Sequence, residues 1–214
     1  MSAANASEQP KHRKETEAKR QEILKAALDV FGRKGAEKGT LEEIASKVGM
    51  TRAGVLHHFG SKRKLLLAVI QYNDESEVDA FPDKRIPHGA AAFQHLIATT
   101  EHHAHSSGIA RSFVTLSSES ITDDNPGHAY FQQRYQNLRN ELTQALVDMA
   151  KERKSTINMA EAEMASASIL AMMDGLQLQW LLSQDQIDLS ASTAFAINAL
   201  VSAVIEHHGE PAVI

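Results

Sequence analysis

The stretch Thr40–Ile70, TLEEIASKVGMTRAGVLHHFGSKRKLLLAVI, decides how the rest of the chain is read. Thr40 can accept a hydrogen bond from a free amide while Glu43 reaches back, so a helix opens there, with Leu41, Ile44, Ala45 and Val48 on its buried face. Gly49 stops it. Thr51 then opens a short third helix, TRAGVLHHF, with Val55 and Phe59 four residues apart and inward. Two helices joined by a tight turn containing glycine form a helix-turn-helix. Ser61 opens the next helix, which carries Leu65, Leu66, Val69 and Ile70. Upstream, Ile23, Ala27, Val30 and Phe31 give a first helix over 17–34, ended by Gly35.

In the third helix His57 is the outermost position, and Ala53 and Gly54 flank it on an exposed ridge. Arg52, in the first turn, has the reach to grip guanine O6 and N7, and His57 and His58 can donate to base or phosphate acceptors. Thr40, Thr51 and Lys62 stand at helix starts, where hydroxyls, free amides and the positive dipole end favour phosphate oxygens. Both threonines also serve as caps, and the two roles are compatible.

Charge supports a DNA-facing module. The 214 residues carry a net charge of −5, but residues 1–70 hold 14 Lys and Arg against 8 Asp and Glu, and residues 71–214 hold 8 against 19. The first third is therefore +6 and the remainder −11, which points the basic part toward phosphate and the acidic bulk away from it. There is no cysteine, which excludes disulfides, thiol nucleophiles and cysteine-ligated metal sites. The longest uninterrupted apolar run, Leu65–Ile70, is too short for a membrane span or a signal-peptide core. Cytoplasmic localisation and no membrane partner are expected.

Helical periodicity continues to the end without strand-like alternation. Further helices are expected at 61–80, 90–106, 109–121, 128–153, 160–183 and 190–208, the last capped by Ser190. The fold class is all-α, about nine helices in three parts: a flexible basic arm (1–16), a helix-turn-helix domain (17–62) and a helical regulatory and dimerisation domain (63–214).

Residues 17–70 resemble the N-terminal helix-turn-helix of the TetR family of one-component transcriptional regulators. The likeness lies in the Thr-opened second helix, the Ala-x-x-x-Gly run into the turn, the short third helix ending His-His-Phe, and the Ser-Lys and leucine pair that follow. The resemblance implies that Arg52, Ala53, Gly54, His57 and His58 face the groove and that Thr40 and Lys62 touch phosphate. It further implies a homodimer formed by the last two helices, a palindromic double-stranded DNA operator, a small-molecule effector and, by family default, repression. One departure is Leu56, where the family commonly carries a tyrosine whose hydroxyl meets phosphate; that contact is absent or falls to His57, His58 or Lys62.

The last two helices are apolar on more than one side, so each needs two neighbours, the second being another subunit. Ala167, Ala171, Gly175, Ile197, Val201, Val204 and Ile205 are the candidate dimer contacts. Polar or aromatic residues on otherwise apolar helices nominate a ligand pocket: His102, Phe113, Ser117, Tyr135, Met172, Asp174, Gln177 and Trp180. The run EHHAH, Glu101–His105, sets His102 and His105 on one helical face and raises two alternatives, a metal site and a histidine-ligated helical metalloenzyme. No HExxH, catalytic triad, phosphate loop or nucleotide fingerprint is present, so no catalysis and no cofactor are expected. A constitutive DNA-binding protein without sensing is the other alternative, but it leaves the acidic 140-odd residues beyond the DNA module without a role.

Overall fold

The computed structural model describes residues 5–79, 87–105 and 107–206, with side chains from Glu15 onward except those of residues 77–79 and 102–105. Among the described residues the chain forms nine helices and no strand: α1 (Asn5–Lys38), α2 (Leu41–Lys47), α3 (Arg52–Phe59), α4 (Lys62–Asp79), α5 (Ala90–His105), α6 (Ser107–Glu119), α7 (His128–Glu152), α8 (Met159–Leu182) and α9 (Leu189–Ile205). The all-α class expected from periodicity is the observed one.

Two boundaries differ from expectation for physical reasons. Helix α1 starts at Asn5, so most of the arm expected over 1–16 is helical. It has no apolar period of its own, but extending an existing helix adds one hydrogen bond per residue without a new nucleation cost. Helix α9 is capped by Asp188, whose carboxylate accepts from the Ala191 amide at 2.9 Å, and not by Ser190. At the other end of α1 the helical backbone breaks at Gly35 (φ 75°, ψ 170°), a conformation that glycine adopts without a steric cost.

One core joins α1 to α2, α3 and α4. Ile23, Ala27, Val30 and Phe31 meet Ile44, Val55, Leu65 and Val69, and Ile109, Leu116 and Phe131 extend the same cluster into α6 and α7. A second core gathers Phe93, Leu142, Leu146, Ile169, Ile197 and Val204 from α5, α7, α8 and α9. Between the two, α6 lies directly on α1. At Gly108 an added Cβ would fall 2.2 Å from the Gly32 carbonyl oxygen and 2.5 Å from that of Phe31, so the helices touch backbone to backbone.

Two stability predictions follow from this packing. Gly108→Ala gains ~0.5–1 kcal/mol of helix propensity but must push two helices apart. Overpacking of that kind costs roughly 1–3 kcal/mol, so the urea midpoint should fall. Thr193, 0% exposed, holds a hydroxyl with no hydrogen-bond partner among the described residues. Thr193→Val removes that buried hydroxyl at nearly constant shape and should raise unfolding free energy by about 1 kcal/mol, read from the same denaturation curves.

Candidate DNA-reading face and ligand cavity

The turn between α2 and α3 is fixed from both sides. Thr40 Oγ1 accepts from the Glu43 amide at 3.2 Å and Thr51 Oγ1 from the Gly54 amide at 3.1 Å, so each threonine caps its helix. Glu43 returns a bond to the Thr40 backbone and also pairs with Lys34, and the hydrogen bond from that lysine leads the effects holding its carboxyl below the usual range. At the opposite ends, α1 supplies two cations. Lys19 Nζ donates to the Val48 carbonyl at 3.0 Å and Arg20 Nη1 to the His58 carbonyl at 2.9 Å, satisfying carbonyls at the negative ends of α2 and α3. The Arg20 guanidinium also lies 4.1 Å from the centre of the Phe59 ring. Sequence reasoning missed both residues, because nothing local marks a cation whose partner is a carbonyl 29 or 38 residues away.

With Val55 and Phe59 buried, α3 turns Arg52, Ala53 and His57 to the surface, with Thr51 before them, and leaves Gly54 and His58 half-buried. Arg52 Nε sits 3.1 Å from Glu42 Oε1, and both side chains are well exposed. An exposed pair of this kind contributes under ~1 kcal/mol, so the guanidinium can exchange Glu42 for another acceptor. Lys62 donates to the Glu37 carbonyl at 3.4 Å, across the end of α1. Leu56 packs half-buried against the first core.

Behind this unit, residues of α4 to α8 line a half-open cavity of about 860 Å³. Ile70, Leu96, Ile109, Leu142, Leu170 and Met173 make its apolar wall. Its polar centre is Arg134 of α7, whose Nε is 2.7 Å from Asp74 Oδ2 and whose Nη2 is 3.5 Å from Asp74 Oδ1. The Tyr130 hydroxyl donates to the same carboxylate, and the guanidinium lies 4.8 Å from the centre of the Phe113 ring. Burial lowers the Arg134 guanidinium, but Asp74 beside it more than offsets that and holds it above its ordinary value. Tyr135 donates to Asp174 Oδ2 at 2.6 Å. Burial pushes the Asp174 carboxyl up against the opposing effects of Tyr135 and Arg134, and does the same to Glu141 against Arg134. His95, also on the wall, is pushed down by burial and tends toward the neutral form.

Of the pocket residues expected from sequence, Phe113, Tyr135, Asp174 and Gln177 line this cavity. Three do not. Met172 packs on the second core, Trp180 is buried in a small cluster with Ala110 and Leu189, and the Ser117 hydroxyl turns back to the Val114 carbonyl. The His102 side chain, and with it the EHHAH metal reading, lies outside the described residues; among those described no three His, Asp or Glu side chains are grouped to hold a metal. Asp74, Tyr130 and Arg134 were not anticipated, since their link spans 56 to 60 residues and only the fold closes it.

The expected dimer contacts divide by helix. On α8, Ala167 and Ala171 are exposed, and a Cβ on Gly175 would meet nothing within 4 Å. On α9, Ile197, Val201, Val204 and Ile205 are instead buried in the chain's own second core, because α9 turns that face to α5, α7 and α8. The outward residues of α9 are Ala191, Phe195, which is 78% exposed, Asn198, Ala199 and Ala203. An apolar helix with two candidate faces offers no period by which to choose between them.

Comparison with known proteins places these features in a family. The profile for bacterial regulatory proteins of the tetR family matches residues 23–69, and that for the C-terminal part of BetI-type transcriptional repressors matches 94–206. The HTH-type transcriptional regulator SrpR of Pseudomonas putida is 43% identical over 70 residues, covering 32% of this chain and 33% of that protein. RutR of Escherichia coli K12 is 41% identical over 54 residues, 25% of this chain and 26% of RutR. The chain thus matches only about a quarter to a third of the length of these two relatives. Among solved structures, FadR of Bacillus subtilis in complex with stearoyl-CoA superposes with a TM-score of 0.63 at 16% identity, over 86% of this chain and 98% of FadR. SmeT, the repressor of the Stenotrophomonas maltophilia efflux pump SmeDEF, gives 0.58 at 18%, over 86% and 89%. At such identities the structures establish a shared fold. With the helix-turn-helix matched at one end and more than half of the length matched by the repressor C-terminal profile, the chain belongs to the TetR family of bacterial transcriptional regulators.

Proposed function

We propose that this regulator binds a palindromic operator as a homodimer, through residues 17–62, and releases it when a small molecule fills the cavity in residues 63–214. One observation carries the sensing half: Asp74, on the helix that follows α3 directly, forms part of the cavity wall and is tied there to Arg134 and Tyr130. A ligand that disturbs this link acts on the helix that supports the reading head, so occupancy and DNA affinity are coupled. A constitutive binder would have no use for such a cavity. Repression is the sign that the matched C-terminal profile supports. The site of action is the cytoplasm, with its DNA, and no described helix is long and apolar enough to cross a membrane.

Pairing is assigned to the outward faces of α8 and α9. Met164, Ser168, Ala171, Gly175, Leu178 and Leu182 follow one another at alternating spacings of four and three residues, the repeat of a helix-helix seam. Leu182 is 77% exposed and Met164 62% exposed, and Phe195 on α9 is exposed as well. Small residues between the bulky ones let a second copy approach closely about a two-fold axis. Two reading heads so joined fit half-sites ~34 Å apart.

For DNA reading we assign Arg52, Ala53, Gly54, His57 and His58 to the groove and Thr40, Thr51 and Lys62 to phosphate. Fluorescence anisotropy on a duplex selected from a random pool should show Arg52→Ala losing ~1–3 kcal/mol of specific binding. Lys62→Ala should weaken all sequences alike and flatten the salt dependence by about one unit. Equal binding by both variants and the parent chain would remove this assignment. Leu178→Arg should give a single chain's mass in light scattering and lose operator affinity; a persistent dimer would place the interface elsewhere.

A further inference from the structure

Occupancy of the cavity is proposed above, and its wall restricts what the occupant can be. Asp74, Glu75, Glu141 and Asp174 line it against one cation, Arg134. That cation is already committed: Asp74 holds it through two nitrogens, and its central carbon lies over the Phe113 ring. The other carboxylates are not matched. Asp174 accepts from Tyr135 and pairs with no lysine or arginine among the described residues, and Glu141 forms neither a hydrogen bond nor an ion pair among them. Both feel Arg134 only at longer range.

Among the described residues, an anionic ligand would therefore meet no free positive group and several carboxylates. A cationic ligand would meet the reverse. The aromatic lining favours the same sign, because ring faces attract cations and Phe113 already holds the protein's own guanidinium in that way. Tyr130 and Tyr135 add two further rings around the same space. The remaining wall mixes apolar residues, among them Ile70, Leu96, Ile109, Leu142, Leu170 and Met173, with uncharged polar ones such as Asn73, Thr99, Gln133 and Gln177, and its apolar part suits a hydrocarbon or aromatic body better than a compact polar ion.

We propose that the effector is an amphipathic organic cation, its charge held between Asp174 and Glu141 and its apolar body against the wall formed by α4, α5 and α8. This rests on the sensing role proposed above, but the two can fail separately.

The test uses two probes of nearly equal shape and opposite charge, tetraphenylphosphonium and tetraphenylborate, titrated calorimetrically into the full-length chain. The phosphonium should bind, and the borate should bind at least about tenfold more weakly, a difference of roughly 1.4 kcal/mol. Asp174→Asn preserves shape and can still accept from Tyr135; it should weaken the phosphonium several-fold and narrow the gap to the borate. Glu141→Gln, at a position more open than that of Asp174, should act in the same direction and guards against a folding defect in the first variant. Absence of phosphonium binding, equal or tighter borate binding, or phosphonium affinity unchanged in both variants would overturn the proposal. The same probes added to the protein–operator complex separate the two claims. Charge-dependent binding without operator release would sink the sensing role and leave the ligand class standing. Release by the borate alone would do the opposite.

Discussion

Gly108 meets the carbonyls of Phe31 and Gly32 with nothing between them, and most of the architecture depends on that contact. It is a point at which α6 meets α1 backbone to backbone, and α1 in turn shares one core with α2, α3 and α4. A side chain at this point would force the two helices apart and shift the support of the reading head relative to the cavity. Ile109, the next residue, shows why the spacing matters: it packs over Gly32 and also lines the cavity. One dipeptide thus sets the distance between the base of the helix-turn-helix and the chamber behind it.

The same helix orders the reading head through charge. Lys19 and Arg20 are consecutive, and each reaches the carbonyl end of a different helix, α2 for one and α3 for the other. The two helix ends are otherwise held by apolar contacts and a short turn. Cations at those ends satisfy carbonyls that would face water and offset the dipoles of two helices too short to be stable alone. Basic residues near the middle of α1 therefore have an internal use as well as a place in the field that faces phosphate.

The helix-turn-helix was legible because its signals are local. Thr40 and Thr51 announce their helices by side chain, Gly49 and Gly35 mark the stops, and Val55 and Phe59 fix which side of α3 faces in. Much of the larger C-terminal part was not legible in this way. The Asp74–Arg134–Tyr130 group joins α4 to α7 over a distance in sequence that no periodicity reports. Tyr135, Asp174, Phe113 and Gln177 were recognisable as polar or aromatic intrusions on apolar helices, but Trp180 and Met172 satisfy the same criterion and pack elsewhere. The contacts expected on α9 lie in the chain's own core for a related reason. When both faces of a helix are apolar, the larger side chains do not reveal which side is inward, and in α9 most of them are. Phe195, Ala199 and Ala203 are among the residues that the fold leaves exposed on α9.

The exposed pair between Arg52 and Glu42 has a bearing on search along DNA. In the reading role assigned to Arg52, the guanidinium is occupied before any duplex arrives, so every encounter begins with an exchange of partners. Giving up Glu42 costs under ~1 kcal/mol, whereas a guanine edge returns ~1–3 kcal/mol. A duplex that presents only backbone leaves that exchange close to break-even, and the side chain can remain on Glu42 while the protein slides past. The carboxylate of α2 then behaves as a tethered decoy that shortens residence on irrelevant sequence and is outcompeted where a guanine is in register.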